Sequence, residues 1–160
     1  MELLDLVDVN GNLLGRTIER GNKNFKDGEY IKLVTIFLKS NDKYLLQLTS
    51  KEKDGLYAVT GGHVPSGSTS KEHALVECKE ELGIDLDIGK LRYIGKIVKG
   101  HAIFESFVYE DNSLDKFEFV FQKEEVENAY WLTKEEIEIL INKNLVRGST
   151  SKQFNELIKR

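Results

Sequence analysis

Residues 61–84 read GGHVPSGSTSKEHALVECKEELGI, and the rest of the chain is organised around them. The first half is glycine-rich and carries little side-chain bulk, the composition of a loop. The second half has a helical start and stop: Thr69 with Glu72 fits a capping box, and Gly83 supplies a left-handed end. At 100° per residue, with Ala74 at 0°, Cys78 falls at about 40°, Leu82 at about 80° and Leu75 at about 100°, an apolar arc for packing. Glu81 falls at about 340°, Glu77 at about 300° and Glu80 at about 240°, a carboxylate arc beside it. Like charges three and four residues apart repel and weaken an isolated helix. A hard divalent cation is the natural compensator.

Upstream of this stretch the chain reads as strands. LLDLVDV (3–9), Asn10-Gly11 and LLGRTIE predict a β-hairpin over about 3–18 with a type I′ turn, placed at the sheet edge. A polar, glycine-punctuated loop (20–29) follows, then YIKLVTIFL (30–38), β-branched and apolar enough for a central strand. A turn over 40–43 returns YLLQLTS (44–50) as its partner, and LYAVTGG carries a short strand into the glycines. Downstream, segments 91–99 and 102–110 alternate as strands, and FEFVFQ (117–122) is a candidate third. Thr133-x-x-Glu136 opens a helix to about Asn142, and Thr150-x-x-Gln153 opens a terminal one. Strands early, helices late and an acidic helix between them predict a mixed sheet with helices packed on it.

Composition narrows the function classes. With 160 residues the chain is sized for one domain, 1–160, able to bury a real core. A net charge of −4 offers no basic footprint for duplex nucleic acid. No apolar run is long enough to span a bilayer, and the acidic start, MELLDLVDVNG, lacks the form of a signal peptide. Cys78 is the only cysteine, so no internal disulfide forms, and a cytoplasmic location is the expectation.

Three carboxylates on one helical turn, beside a stretch of bare backbone, suit a Mg2+–phosphate site. Such an ion neutralises a diphosphate, orients it and lowers the pKa of an attacking water. Gly61 and Gly62 lack a Cβ and let backbone approach a ligand closely. The competing explanation is an ordinary solvated helix face.

Gly62, five residues, Ser68, seven residues, then Val76-Glu77-Cys78-Lys79-Glu80-Glu81-Leu82-Gly83-Ile84 resembles the Nudix box, here spanning 62–84. Gly62, Glu77, Glu80, Glu81 and Gly83 match in register; Ser68 stands where the family has Glu, and Val76 where it has Arg. The resemblance implies a Nudix-like α/β/α sandwich and a Mg2+- or Mn2+-dependent pyrophosphohydrolase acting on a small-molecule diphosphate, with Glu77, Glu80 and Glu81 as metal ligands or holders of metal-bound water. Without the arginine the cluster loses a cation, so the expectation is metal affinity below the family norm or a loss of activity. Dimerisation is frequent in such folds, and a homodimer stays open.

The likeness extends over roughly 3–140, through VDVNGNLLGRTIERG, TGGHV and EVENAYWLTKEEI, to the isopentenyl-diphosphate isomerase-like branch. True isomerases of that branch have a cysteine before a Gly-His pair and glutamates on a later strand. Here Gly61 precedes Gly62-His63, and Lys99 and His101 align with the strand acids. The resemblance therefore implies the scaffold without the isomerase chemistry, although an isomerase and a non-catalytic metabolite binder both remain alternatives. It also nominates His63 as ligand or packing residue, Lys51 and Lys53 as contacts to substrate phosphate, and Glu125, with Glu80, for base catalysis. His73 is expected to be exposed, and Trp131 to be core.

Overall fold

The structure is a computed structural model that describes residues 1–159. Strands β1 (Leu3–Val7) and β2 (Leu13–Glu19) pair as a hairpin. They are followed by β3 (Ile31–Ser40), β4 (Lys43–Thr49), β5 (Tyr57–Ala58) and β6 (Thr60–His63). Helix α1 (Ser70–Leu82) leads into β7 (Arg92–Lys99), β8 (Ala102–Glu110) and β9 (Val126–Leu132). Helices α2 (Lys134–Asn142) and α3 (Gly148–Gln153) complete the order.

The main sheet runs β5-β4-β3-β8-β7, with β6 joined to β3 and β9 to β4. The β3–β8 pairing is parallel and the others are antiparallel, so the sheet is mixed as expected. Alternation along β3 sends side chains to opposite faces. Val34, Ile36 and Leu38 pack with Ala74, Cys78 and Leu82 of α1. Phe37 packs on the other face with Ile137 of α2 and Phe154 and Ile158 beyond α3. Burial of each such large apolar side chain contributes about 1.5–3 kcal/mol. The result is an α/β/α sandwich. Among the described residues no helix is long and apolar enough to cross a membrane.

Several local expectations need correction. The β1–β2 hairpin forms its own two-stranded sheet, and the main sheet meets it through a single bridge, Val7 to Tyr30. Its turn is not type I′: Gly11 has φ 85° but Asn10 does not have positive φ. Asp8 N–H donates to Asn12 O (2.9 Å), closing a three-residue loop instead. The two consecutive positive-φ residues of a type I′ turn occur at Asn41 (49°) and Asp42 (64°), between β3 and β4.

Segment 117–122 alternates like a strand yet forms none. Its backbone lies against the end of α1, where Val120 N–H donates to Leu82 O (2.9 Å) and Gln122 N–H to Glu81 O (3.1 Å). Those carbonyls have no partner within the helix, and this segment satisfies them. The last helix starts at Gly148, not Thr150, and continues as a π-type turn over Phe154–Ile158. Thr150 is buried inside it, its hydroxyl accepting from Val59 N–H (3.4 Å).

Candidate active site

Helix α1 can lie close to β6 because β6 has almost no side chains there. Gly61 and Gly62 are strand residues, not a loop, paired with Thr35 and Val34 of β3. A Cβ on Gly61 would stand 2.2 Å from Val34 O, and one on Gly62 would stand 2.4 Å from Glu77 Oε1. The bare backbone is thus occupied from within the protein. At Gly62 the occupant is a carboxylate.

That carboxylate belongs to a pair. Glu77 and Glu81 are one helical turn apart on α1, and their carboxyl groups interact with each other. Glu81 is buried, accepting from Gln47 Nε2 of β4 (3.2 Å). His73 Nε2 lies 2.8 Å from Glu77 Oε1. Burial raises the pKa of both acids, and the charge of Glu77 adds to the rise at Glu81. Two carboxyls in contact away from water hold on to a proton between them. The charges of Glu80 and Glu125 push the same way, on Glu77 and Glu81 respectively.

Glu80 itself is exposed on α1, so the predicted trio divides into a buried Glu81, a half-buried Glu77 and a solvent-facing third. Among the described residues no three His, Cys, Asp or Glu side chains converge as a ready-made metal cage. A converging pair nevertheless fits Mg2+, which is held by one or two protein carboxylates and completes its octahedron with water and substrate phosphate. Cys78, on the apolar arc, is fully buried and its thiol pKa is raised by burial.

Beside β6 a cleft of about 180 Å³ is lined by Gly61, Gly62 and His63, and by Leu33, Val59 and Phe104. Arg20, Lys53 and Arg147 bring positive charge to it from β2's end, the β4–β5 turn and the start of α3. Glu125 also lines the cleft, ion-paired to Lys53 (3.0 Å), whereas Lys51 is exposed on the turn and is not among the lining residues. Burial, and then the charge of Arg20, lowers the pKa of His63. Arg147 is held by Asp54 (Nε to Oδ2, 2.8 Å).

His73, expected to be exposed, and Gln47, Arg20 and Arg147, which the sequence does not single out, all stand at the site. His73 stands four residues before Glu77, a helical neighbour that the periodicity could have shown. Its side chain is only 11% exposed, contrary to expectation. The other three come from distant segments and meet the site only through tertiary packing. His101 lies in the β7–β8 turn, stacked on Phe25 with ring centroids 4.9 Å apart.

An acidic helix seated on a Gly-Gly strand within an α/β/α sandwich defines a class, and comparison with known proteins gives the same one. The NUDIX domain family matches residues 30–154, and the chain belongs to that family. An uncharacterised Nudix hydrolase of Listeria monocytogenes is 29% identical over 146 residues, covering 88% of this chain and 85% of the relative. A similar protein of Listeria innocua is 27% identical with the same coverage. Among solved structures, DR0079 from Deinococcus radiodurans superposes with a TM-score of 0.81 at 20% identity, over 99% of this chain and 100% of that one. A bifunctional NMN adenylyltransferase/ADP ribose pyrophosphatase from Francisella tularensis, complexed with AMP and a manganese ion, gives 0.64 at 16% identity, over 82% and 41%. The protein is a Nudix-type hydrolase.

Proposed function

We propose that this hydrolase is a Mg2+- or Mn2+-dependent pyrophosphohydrolase that cuts the diphosphate linkage of a nucleoside diphosphate derivative or a similar small metabolite. The observation that carries it is the Glu77–Glu81 contact: two carboxylates withdrawn from water, both with raised pKa, beside a cleft supplied with cations. A divalent cation relieves that arrangement where a proton otherwise must.

Glu77 and Glu81 would hold the ion, with Glu80 joining from the solvent side. Once bound, the ion supplies charge neutralisation at the diphosphate and acidifies water. The chain's own residues do the rest. Lys53 and His63 face the phosphate oxygens, with Lys51 at the cleft's outer turn, and the backbone of Gly61 and Gly62 forms part of the cleft wall. Glu125 accepts a proton from the attacking water as its oxygen bonds to phosphorus and the bridging P–O bond breaks. Substrate phosphate competes with Glu125 for Lys53, freeing the carboxylate to act as base.

Isomerase chemistry has less support. A thiol cannot be built at Gly61, where even a Cβ would meet Val34 O, and Cys78 is sealed in the core. Incubating the protein with a panel of nucleoside diphosphate compounds tests the proposal. Monophosphate products should form with Mg2+, stop in EDTA, and be lost in both Glu80→Gln and Glu81→Gln. Products that persist in both variants would move the site elsewhere, and an allylic product from an isoprenoid diphosphate would replace the hydrolase with the isomerase.

A further inference from the structure

Position 76 is the place where this box carries no cation, and the structure shows that its valine is 42% exposed and offers no polar atom to the acid pair. The nearest basic side chain to Glu77 arrives instead from the preceding turn of α1. His73 and Glu77 are four residues apart, with side chains only 11% and 13% exposed, and Nε2 lies 2.8 Å from Oε1. The carboxylate is confined on its other sides as well. Gly62 leaves room for it that any Cβ would remove, and the buried Glu81 stands one turn further along the helix.

We propose that His73 is a positioning residue for Glu77, fixing the carboxylate through Nε2–H so that Glu77 is oriented before a cation arrives. The inference rests on the assignment of Glu77 as a metal carboxylate. Its physical basis is that groups holding a metal ligand in place govern affinity about as strongly as a weak ligand does: their loss typically costs 10–100-fold. The bond does not depend on the charge of the imidazole, since Nε2 donates both in the imidazolium and in the neutral tautomer that protonates it. The role is therefore geometric. It belongs to one nitrogen of the ring.

That specificity makes the test selective. The side-chain amide of Gln reaches about as far as Nε2, whereas the amide of Asn reaches about as far as Nδ1. Mn2+ binding is measured on the folded full chain by electron paramagnetic resonance, without substrate, for wild type, His73→Gln, His73→Asn and His73→Leu. Circular dichroism checks each fold. His73→Gln should stay within about threefold of wild type, and His73→Asn and His73→Leu should each weaken Mn2+ by about tenfold or more. Equal affinity in all four proteins would overturn the inference, as would a Gln variant as weak as Leu, because ring packing and not the N–H would then matter. If the Leu variant does not fold, the Gln–Asn contrast decides alone. A wild type that binds no Mn2+ would overturn the metal assignment itself, and the positioning role with it.

Discussion

Two carboxylate groups near the same cleft are treated in opposite ways. At Asp54, burial raises the pKa, but hydrogen bonds from Arg147, Thr49 and Leu56 N–H outweigh it and hold the carboxyl at about 2. At Glu77 and Glu81, burial also raises the pKa, and the bonds from His73 and Gln47 do not compensate. One carboxylate has its cation built in. The other two have a neighbouring acid. The contrast separates a structural tie, which fixes the start of α3 to the β4–β5 turn, from a site whose missing positive charge must come from outside the chain.

The sharpest way to break the contrast is to crowd the acid pair. Gly62→Ala places a methyl group within 2.4 Å of Glu77 Oε1, so the carboxylate must leave its seat. The cost in stability should be about 1–3 kcal/mol by chemical denaturation, together with a clear loss of Mn2+ affinity. An unchanged affinity would mean that Glu77's present position is irrelevant to binding.

A smaller effect is expected at the tie. Arg147 and Asp54 side chains are 40% and 34% exposed, so solvent screening limits the pair to about 0.5–1 kcal/mol, read from a double-mutant cycle with Arg147→Ala and Asp54→Asn. The folded pKa of Asp54 is depressed, so this contribution is present above the ordinary value of 3.8 and is lost as pH falls through about 2. Mn2+ affinity should not change in either variant, which sets the tie apart from the acid pair.

The smallest effect should come from restoring the family residues. Ser68→Glu with Val76→Arg adds a cation to an exposed position of α1, and a gain of a few-fold in metal affinity or turnover is expected. No gain in either would sink the idea that the departures at positions 68 and 76 weaken the site.

The sequence made the sandwich legible where local signals agree with tertiary need. Helix α1 was readable because Thr69, Gly83 and the Ala74–Cys78–Leu82 arc all point to the same element. Alternation alone misled at 117–122, where the backbone serves the end of α1 and forms no ladder. Strand β9 is not legible as a strand because VENAYWL mixes polar and apolar residues, and its place is fixed by pairing with β4 rather than by pattern. At the site, the glutamates and glycines were visible as spacing. Their unequal burial was not, because Gln47 and the 117–122 segment, which cover Glu81, come from elsewhere in the chain.

The most direct test is the melting temperature of wild type and Glu81→Gln, measured from pH 5 to pH 8 in EDTA and then in Mg2+. The folded pKa of Glu81 is raised, so the folded state binds more protons than the unfolded one above the ordinary value of 4.5, and its stability falls as pH rises towards the folded pKa. In EDTA the account predicts that Glu81→Gln gains on wild type as pH rises, by about 2–4 °C for each kcal/mol. In Mg2+ the order reverses at pH 8, because only wild type gains from the ion. Parallel profiles in EDTA, or an equal Mg2+ shift in the two proteins, would contradict the claim that this pair is built for a cation.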